Sequence, residues 1–572
     1  MQSEDFISMS RDIKALYNDW VKNVTDTELK EELISIEQDE EAINDAFYQD
    51  LSFGTAGLRG VQGAGTNRMN IHTVAKASQG LANYINKTSQ NEVKKIALGY
   101  DSRINSDVYA QVATGIFAAN GIHVYVYDTI IPTPMVSFAV RELECDSGVV
   151  ITASHNPAIY NGYKVYREDG CQISTEQSED ISREISELDI FADIVDFDYE
   201  ASFASGDIES VPEYVSRKYL DEVKKQSLIT DDLDIDKDVK IIYSPLNGTG
   251  LVPLTTVLAE EGYTNVTLVE EQKDPDGNFP TAPYPNPEMP EAMALGIEYA
   301  IREDADMFLA TDPDADRVGM AIKKGEGDFQ IISGNQIGIL VLDYICSRRR
   351  DLGRLSDSSV FVTTIVSTTL AEKIAEHYGV ETRKVLTGFK HIGEEIAKLE
   401  VEDREDDFIF GFEEANGYLV GTHVRDKDAV VTALIVVEMF AYYRSLGISL
   451  DEKLESIYTD FGYTYDKQNS FTYEGEDGFE KMSNIMKDLR EYANNPTDEL
   501  ITSTVDYLND DTGIPKSNVL KFNIDNGGQI VARPSGTEPK LKIYLSINAD
   551  KDEIATVEES IMNTLKDVGG IA

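Results

Sequence analysis

The sequence is poor in cysteine, tryptophan, histidine and basic side chains. Its 572 residues include 3 cysteines, 1 tryptophan and 6 histidines, and 51 lysines and arginines are set against 103 aspartates and glutamates. The three cysteines, Cys145, Cys171 and Cys346, lie far apart and outside any metal-ligand spacing. They predict reduced thiols in a cytoplasmic protein rather than a disulfide framework. The formal net charge of −52 argues against nucleic acid and anionic membranes as partners, because their phosphates would be repelled.

Long apolar runs are also missing. No stretch approaches the roughly 18 apolar residues that a membrane-spanning helix needs, so we expect no membrane span. The amino-terminal residues MQSEDFISMSRDIKALYNDW lack the basic start and the apolar core of a signal peptide. Hydrophobic residues at 41% and charged residues at 27% are typical of a globular protein. A chain of 572 residues exceeds what one hydrophobic core serves, so several domains are expected.

Short apolar runs alternate with amphipathic stretches along most of the chain. Runs such as KKIALGY, SGVVITA, ADMFLAT and DFIFGF are separated by stretches such as HTVAKASQGLANYIN, which predicts mostly parallel sheets flanked by helices. The segments VLKFNI, QIVARPS and LKIYLSINA instead predict paired strands in an α+β domain at the end. Domain boundaries are expected where this alternation stops and charged and turn residues accumulate. They predict α/β domains at 1–205, 206–328 and 329–460, and the α+β domain at 461–572.

The first polar motif follows the apolar run SGVVI and reads TASHNP. It contains Ser154 and His155, and Lys164 follows in NGYKVY. Ligands bind at the carboxyl ends of strands in open α/β sheets, so the position indicates a site. A serine hydroxyl needs a neighbouring base, positive charge or metal to act as a nucleophile. Ser154 is therefore a candidate nucleophile, and the alternative is a turn whose side chains satisfy only backbone groups.

The second motif, TDPDADR, directly follows the run DMFLA. Asp312, Asp314 and Asp316 stand at alternate positions before Arg317. Three carboxylates in one loop can converge on a hard divalent cation, for which Mg²⁺ is the natural choice. An EF-hand is excluded because its glycine and its distant glutamate are missing. The alternative is a solvated acidic turn.

The third motif is GFEEANGY. It places Glu413 and Glu414 after the strand FIF, with Arg425 and Lys427 close behind. Carboxylates accept hydrogen bonds from sugar hydroxyls, and a nearby lysine can act as acid or base if its pKa is lowered. An acidic pair that merely faces solvent is the alternative.

The fourth motif, RPSGTEPK, is locally basic in an otherwise acidic chain. Backbone N–H groups, hydroxyls and a guanidinium in one turn can hold a phosphate, although an ordinary hairpin turn is the alternative. No GxxxxGK[ST] loop for nucleoside triphosphates occurs in the sequence. Arg59 in the glycine-rich FGTAGLRG is a further candidate, because glycines let a backbone approach a phosphate closely, and the alternative is that these glycines serve only a turn. The candidate phosphate-binding residues are Arg533, Ser535, Gly536, Thr537 and Lys540.

The four motifs resemble, in this order, the four signature loops of the α-D-phosphohexomutase superfamily: TASHNP, DPDADR, FEEA and RPSGTEPK. The stretch FGTAGLRG resembles the amino-terminal motif of that superfamily. The resemblance covers about residues 50 to 550, and SPLNGTG, DPDGNFPTAPYPNPE, TGFKHIGE and VRDKDA are similar to the branch with phosphoglucomutases and phosphopentomutases. It implies a four-domain architecture, with three α/β mixed-sheet domains and a carboxyl-terminal α+β domain around a central cleft.

The resemblance also implies residue roles. Ser154 would be the phosphoserine and would bind Mg²⁺ with Asp312, Asp314 and Asp316, while Arg59 and Arg317 would lie near the transferring phosphoryl group. Glu413 would hold the sugar O3 and O4 hydroxyls, Thr387 and Gly388 would form a second sugar-contacting turn, and Ala415 stands where the family often has a serine. The RPSGTEPK residues would hold the phosphate that is not transferred. Lys427 and His155 are the first candidates for general acid and base, followed by Lys164.

The activity that the resemblance implies is interconversion of α-D-glucose 1-phosphate and glucose 6-phosphate. It would use a phosphoserine and a glucose 1,6-bisphosphate intermediate, which is also the activator. Alternatives are phosphopentomutase, phosphomannomutase, glucose-1,6-bisphosphate synthase and a non-catalytic sugar-phosphate binding protein. The expected partner is a sugar phosphate, and the expected assembly is a monomer or homodimer in the cytoplasm.

Overall fold

A computed structural model describes residues 11–571, apart from 55, 56, 231, 232, 234, 326, 474–477, 498 and 536–538. Within this part of the chain, three mixed sheets and one antiparallel sheet follow one another in sequence. We name the units that contain them domains I to IV. The α/β class of the first three domains and the α+β class of the last are thus confirmed, whereas the exact domain boundaries stay predictions.

Domain I begins with a helical segment and continues into a sheet of order β1-β5-β4-β2-β3-β6. Trp20 and Phe47 pack edge to face, with ring centroids 5.6 Å apart, in the core of the first helices. The elements are α1 (Ile13–Asn23), α2 (Thr27–Ser35), α3 (Glu40–Phe47), β1 (Gly57–Val61), α4 (Ile71–Thr88), β2 (Lys95–Tyr100), α5 (Ser106–Ala119), β3 (His123–Val126), α6 (Thr133–Glu142), β4 (Ser147–Ile151), β5 (Tyr160–Arg167), α7 (Thr175–Ser186), α8 (Tyr199–Ser205) and β6 (Ile208–Ser210).

Domain II has a sheet of order β11-β10-β9-β7-β8, in which β7, β8 and β9 run parallel. The strand β9 is buried along its whole length, which explains its continuous apolar sequence MFLAT. The elements are α9 (Glu213–Lys224), β7 (Ile241–Ser244), α10 (Leu251–Glu260), β8 (Val266–Leu268), α11 (Glu270–Lys273), α12 (Pro290–Arg302), β9 (Met307–Thr311), β10 (Val318–Lys323) and β11 (Phe329–Ile332).

Domain III has a sheet of order β13-β12-β14-β15. Its helix α16 is buried almost all round, and the Asp428 side chain caps it by accepting the Val430 and Val431 N–H groups. The elements are α13 (Gly334–Asp351), β12 (Val360–Thr364), α14 (Leu370–Tyr378), β13 (Glu381–Val385), α15 (Phe389–Val401), a 3₁₀ turn (Glu405–Asp407), β14 (Phe408–Glu413), β15 (Gly417–Val420), α16 (Ala429–Ser445) and α17 (Leu450–Phe461).

Domain IV is an antiparallel sheet of order β16-β20-β19-β18-β17 with two helices. The elements are β16 (Thr464–Thr472), α18 (Gly478–Ala493), β17 (Ile501–Asp506), β18 (Leu520–Ile524), a 3₁₀ turn (Asp525–Gly527), β19 (Gln529–Pro534), β20 (Lys540–Asn548) and α19 (Ile554–Gly569). Alternate residues of β18 are buried, as expected of a sheet with one face on the core.

The hydrophobic cores divide the molecule unequally. One continuous core joins the α6 side of domain I to domains II and III, whereas domain IV has a separate core beneath its own sheet. A small cluster that includes Ile365, Val366 and Tyr544 connects domains III and IV. Among the described residues, no single helix is long and apolar enough to cross a membrane. The helices Ala429–Ser445 and Leu450–Phe461 reach that length and apolar character only when they are taken as one segment, and they are bent by 88° at the break between them.

Candidate active site

Ser154 lies in the loop after β4, at the carboxyl end of a central strand of domain I. Its side chain is 3% exposed, and its backbone has a left-handed φ of 52°. The N–H of Ser154 donates to Thr152 Oγ1 at 2.8 Å, which helps to hold this unusual conformation. Strained backbone of this kind is concentrated at functional sites. The Ser154 hydroxyl donates to Asp312 Oδ2 of domain II at 2.8 Å.

The acidic loop after β9 forms a compact buried cluster. One ligand oxygen from each of Asp312, Asp314 and Asp316 lies within 4.8 Å of the others. Burial, followed by repulsion from the other two carboxylates, raises the pKa of Asp312 well above its usual range. Asp314 Oδ1 and Asp316 Oδ1 are buried and accept no hydrogen bond from the described residues. Converging carboxylate oxygens with unused lone pairs fit a hard divalent cation such as Mg²⁺.

Neighbouring domains hold this acidic loop in place. Thr133, at the first turn of α6 in domain I, donates its hydroxyl to Asp314 Oδ2 at 2.7 Å. The Thr133 N–H also donates to the Asp314 carbonyl at 2.8 Å, and the N–H of Ala429 in domain III donates to the Ala315 carbonyl at 3.2 Å. The loop therefore lies at the junction of three domains.

Two lysines from different domains contact the acidic loop. Lys164 Nζ lies 2.7 Å from Asp314 Oδ2 and 2.9 Å from Asp316 Oδ2. Lys427 Nζ lies 3.0 Å from Asp426 Oδ1 and 3.3 Å from Asp316 Oδ2. Burial alone would lower the pKa of both lysines, but the carboxylates outweigh it and raise the pKa of each. The lowered lysine pKa on which an acid–base role depended is thus not found, because each ammonium group faces aspartates.

His155 and two arginines line the same side of the serine. His155 Nδ1 lies 3.4 Å from Ser154 Oγ. Burial, followed by the charges of Arg317 and Arg59, lowers the pKa of His155 well below its usual range. Arg59 lies within β1, opposite Gly162 of β5. The extended strand aims its guanidinium at the loop, where Nη1 donates to Asn156 Oδ1 at 3.4 Å.

The third motif brings domain III against the acidic loop. Glu413 is the last residue of β14 rather than the first residue after it, and Gly417 lies opposite it on β15. A Cβ at Gly417 would lie 2.4 Å from Lys427 Cδ and 2.9 Å from Glu413 Oε1, so only glycine lets these side chains pack together. Arg317 Nη1 donates to the Ala415 carbonyl at 3.1 Å. Burial raises the pKa of Glu413, although Lys427 partly offsets it.

Thr387 and Gly388 form the turn before α15. Gly388 has a φ of 116°, which favours glycine, and a Cβ there would meet open space. The Thr387 hydroxyl is buried without a hydrogen-bond partner in the described part of the chain. The first residue of α15, Phe389, lies 5.5 Å beneath Lys427 Nζ, measured to the ring centroid. The turn is therefore adjacent to the third motif.

The fourth motif is the hairpin between β19 and β20. Arg533 lies opposite Lys542 in the strand register, and the Ser535 N–H donates to the Lys540 carbonyl at 2.7 Å. Gly536 and Thr537 lie outside the described residues. Sequence reasoning missed Lys542, although it follows Lys540 at the strand period of two and so shares its face of the sheet.

The electrostatics of Lys542 show which way this hairpin faces. Burial and the charge of Arg533 lower the pKa of Lys542, and Glu414 and Glu288 act in the opposite direction. A cavity of about 340 Å³ is lined by Glu288 of domain II, Glu414 of domain III and Tyr544 of domain IV. The basic strands of domain IV therefore face the carboxylates of the third motif.

Arg103 and Asp101 are further residues that sequence reasoning missed. They lie in GYDSR at the end of β2, next to β4 in the sheet. Arg103 donates to four backbone carbonyls of the Ser154 loop and is 3% exposed. The available signal was a polar D-x-R following an apolar strand.

The candidate nucleophile Ser154, the acidic triad and Glu413 meet at the carboxyl ends of strands from three domains, and a basic hairpin of a fourth domain faces them. The chain matches the phosphoglucomutase/phosphomannomutase family in four parts: alpha/beta/alpha domain I at 50–190, domain II at 217–325, domain III at 333–461 and the C-terminal domain at 488–564. The chain belongs to this family and hence to the α-D-phosphohexomutase superfamily.

Curated relatives extend over nearly the whole chain. A phosphoglucomutase of Staphylococcus aureus (strain MRSA252) is 37% identical over 557 residues, covering 94% of this chain and 96% of its own. One of Staphylococcus saprophyticus is 36% identical over 552 residues, covering 94% and 97%. The crystal structure of pp63/parafusin from Paramecium superimposes with a TM-score of 0.69 at 18% identity, covering 92% of this chain and 95% of that one. This last likeness concerns the fold alone.

Proposed function

We propose that this protein is a phosphoglucomutase that interconverts α-D-glucose 1-phosphate and glucose 6-phosphate. The observation that carries the proposal is the 2.8 Å hydrogen bond from Ser154 Oγ to Asp312 Oδ2 across the boundary of domains I and II. It puts a candidate phosphoryl carrier on the acidic triad, near Arg59 and Arg317. The near full-length likeness to phosphoglucomutases supports the choice of substrate.

The reaction is two phosphoryl transfers through one site. In the first, the free hydroxyl of glucose 1-phosphate attacks the phosphorus of phospho-Ser154. A new O–P bond forms, the bond to Ser154 Oγ breaks, and the hydroxyl proton leaves to a base, which gives glucose 1,6-bisphosphate. Ser154 Oγ takes up a proton as it is released. In the second transfer the bisphosphate is bound in reverse, and Ser154 Oγ gives its proton to the base and attacks the phosphorus at C1. The bond from that phosphorus to O1 breaks, and O1 takes a proton as glucose 6-phosphate departs. The net reaction consumes no donor, because Ser154 regains its phosphoryl group.

The residues of the transfer site have separate tasks. Ser154, Asp312, Asp314 and Asp316 would hold Mg²⁺, which when bound neutralises charge on the transferring phosphoryl group. Arg59 and Arg317 are positioned to bind phosphoryl oxygens through charge-assisted hydrogen bonds. His155, 3.4 Å from Ser154 Oγ, is our first candidate for the general base. Lys164 and Lys427 orient the aspartates and supply positive charge, and Lys427 is the other candidate for the general acid or base.

The remaining residues hold the sugar and its second phosphate. Glu413 accepts hydrogen bonds from sugar hydroxyls, and Thr387 and Gly388 form the adjoining wall. Ala415 offers only its backbone, so this site lacks one side-chain hydroxyl for the sugar. The hairpin residues Arg533, Ser535, Gly536, Thr537 and Lys540 bind the phosphate that is not transferred. Lys542 adds a further positive charge to that group.

The test is a coupled assay of the purified protein on glucose 1-phosphate and ribose 1-phosphate, with Mg²⁺ and a trace of glucose 1,6-bisphosphate. We expect turnover of the hexose, at least about 10⁴-fold slower in Ser154→Ala. ³¹P NMR should show a phosphoserine in the wild type that is missing from the variant. A matched control is Ser445→Ala, at the exposed end of α16, which should retain full activity.

Other outcomes point to different functions. Dominant turnover of ribose 1-phosphate or of mannose 1-phosphate would replace the substrate while leaving the site roles in place. Net accumulation of bisphosphate from a separate phosphoryl donor would indicate a synthase. Substrate binding without turnover would indicate a binding protein.

The buried free cysteines Cys145, Cys171 and Cys346 support a cytoplasmic location.

A further inference from the structure

We propose that Arg103 is a positioning residue for phosphoryl transfer. It fixes the backbone of the Ser154 loop against Phe279 of domain II and so sets the distance from the Ser154 hydroxyl to Asp312. The inference rests on the proposed function, but it concerns the geometry of the loop and can be measured without turnover.

The first observation is the number of loop carbonyls that one side chain holds. Arg103 Nη2 donates to the carbonyls of Ser154 and Asn156. Arg103 Nη1 donates to the carbonyls of Pro157 at 2.9 Å and Tyr160 at 3.1 Å. A planar guanidinium with a fixed fork of donors can hold several carbonyls at once, whereas an ammonium group is a single point of contact. Arg103 therefore determines the shape of the whole turn that carries Ser154.

The second observation is the carboxylate that orients this guanidinium. Asp101 Oδ2 lies 3.3 Å from Arg103 Nε and accepts the Thr152 hydroxyl at 2.6 Å. Thr152 Oγ1 in turn accepts the Ser154 N–H at 2.8 Å. Asp101 thus acts on both backbone polar groups of Ser154, on the N–H through Thr152 and on the carbonyl through Arg103. The left-handed φ of 52° at Ser154 is held from both sides by this network.

The third observation connects the network to domain II. The Arg103 guanidinium carbon lies 5.0 Å from the ring centroid of Phe279, and Phe279 is completely buried. The domain II segment that carries Phe279 can approach the Arg103 segment so closely because residue 277 is glycine. A Cβ on Gly277 would lie 2.4 Å from the Ile104 nitrogen. Domain II also carries Asp312, Asp314 and Asp316, so Arg103 touches both the serine loop and the domain of the acidic triad.

Displacement of the serine loop would separate the nucleophile from the acidic triad. A misplacement of about 1 Å in a reacting group can cost about 100-fold in rate. Residues that orient metal ligands typically change metal affinity by about 10- to 100-fold when they are replaced. Loss of Arg103 should therefore reduce both phosphoryl transfer and cation binding at Ser154 and the triad. Binding of the sugar phosphate by domains III and IV should change little.

The test compares Arg103→Lys with Arg348→Lys in the full-length protein. Arg348 of domain III is a matched control because it is buried, pairs with Asp351 and stacks on Tyr442. Like Arg103, it also donates to a backbone carbonyl of another segment, that of Leu228 in domain II, at 3.2 Å. We expect Arg103→Lys to lower kcat about 100-fold while KM stays within about threefold of the wild type. Arg348→Lys should leave kcat unchanged even if both variants lose the same amount of Tm.

Two further measurements separate positioning from stability. Mn²⁺ binding, followed by electron paramagnetic resonance, should be about tenfold weaker in Arg103→Lys than in the wild type. In Arg103→Ala, added guanidinium ion should restore kcat about tenfold, since it can occupy the vacated donor position. Phe279→Leu keeps the bulk but removes the ring face, and it should lower kcat about threefold to tenfold. This variant serves as the second test if Arg103→Ala does not fold.

Unchanged kcat and unchanged Mn²⁺ affinity in Arg103→Lys would overturn the proposal. It would also be overturned by losses that match those of Arg348→Lys, or by a change confined to KM. If the wild type shows no mutase activity, the proposed function fails. The Mn²⁺ comparison then still decides whether Arg103 positions the serine loop, so the two failures are distinguishable.

Discussion

The two halves of the candidate site are built differently. The transfer half, formed by Ser154 and the acidic triad, lies at the junction of domains I to III, which share one continuous core. The holding half, formed by the β19–β20 hairpin, belongs to domain IV, which has its own core. Domain IV contacts domain III through a small apolar cluster and through polar contacts such as those from Gln529 Nε2 to the carbonyls of Ile365 and Ser367.

This difference corresponds to the two tasks of a mutase. Phosphoryl transfer requires reacting groups held within fractions of an ångström, and buried ion pairs in a shared core provide that rigidity. In the proposed reaction, the holding half accepts either phosphate of a bisphosphate that is bound in two orientations. A domain with its own core can move as a unit and still retain its fold. Substitutions in the two halves should therefore affect different kinetic parameters.

The largest effect is expected from Asp314→Asn in the transfer half. Removal of one carboxylate should lower kcat about 10³-fold, because charge neutralisation at the phosphoryl group is lost. Mg²⁺ should raise the Tm of the wild type but not that of the variant, as measured by differential scanning fluorimetry with and without a chelator. The control is Asp304→Asn, whose side chain is 83% exposed. A Mg²⁺-dependent Tm shift that survives in Asp314→Asn would refute the metal assignment.

A smaller effect, on binding, is expected from Arg533→Ala in the holding half. One charge-assisted hydrogen bond is worth about 1.5–3 kcal/mol, so KM should rise about 10- to 100-fold. The Tm and the Mg²⁺ response should stay as in the wild type, because domain IV takes no part in the acidic triad. Lys551→Ala, in the same domain and paired with Glu455, is the control for loss of one positive charge. If kcat alone fell, the separation between the two halves would be wrong.

The smallest expected effect is on the stability of domain IV and on how that stability depends on pH. Burial raises the pKa of Asp466 to about 6, and contacts with Ser546 and Thr368 only partly offset it. A raised carboxyl pKa means that folding favours the protonated form. The stability that protonated Asp466 contributes is fully present below the pKa of an unfolded aspartate, and it is lost as the pH rises through about 6. Asp466→Asn should therefore stabilise domain IV by about 1 kcal/mol at pH 8 and by about half of that at pH 5.

Asp506 in the same domain provides a control of opposite sign. Burial would raise its pKa, but the hydrogen bonds from Arg490, Asn509 and the Leu508 N–H together outweigh burial, and the pKa is lowered. Ionised Asp506 thus stabilises the fold above its unfolded pKa, and that contribution is lost as the pH falls. Asp506→Asn should destabilise domain IV at pH 8. Differential scanning calorimetry at both pH values measures the pair, and equal shifts for the two variants would contradict the assignment.

Much of the fold and site could be predicted because the informative residues are contiguous. The run of apolar residues before TDPDADR indicated a buried strand, and β9 ends at Thr311, directly before Asp312. The glycine-rich sequence around Arg59 gives no sign of a strand, but pairing with β5 makes that segment one. Each of Arg103 and Lys542 had a weak local signal, but the groups that give them a role lie far away in the sequence: the carbonyls of the Ser154 loop for Arg103, and Glu414 and Glu288 for Lys542.

The sequence by itself determined the order of strands and loops, the identity of the candidate nucleophile and triad, and the family, because these depend on short motifs and on hydrophobic period. Only the tertiary structure decided which charges meet. Ser154 and Asp312 are 158 residues apart along the chain, and Lys164 is 150 residues from Asp314. Their protonation, and the role of Arg103 beneath Ser154, follow from burial and from packing between domains, which act at short range in space and leave no periodic trace in the sequence.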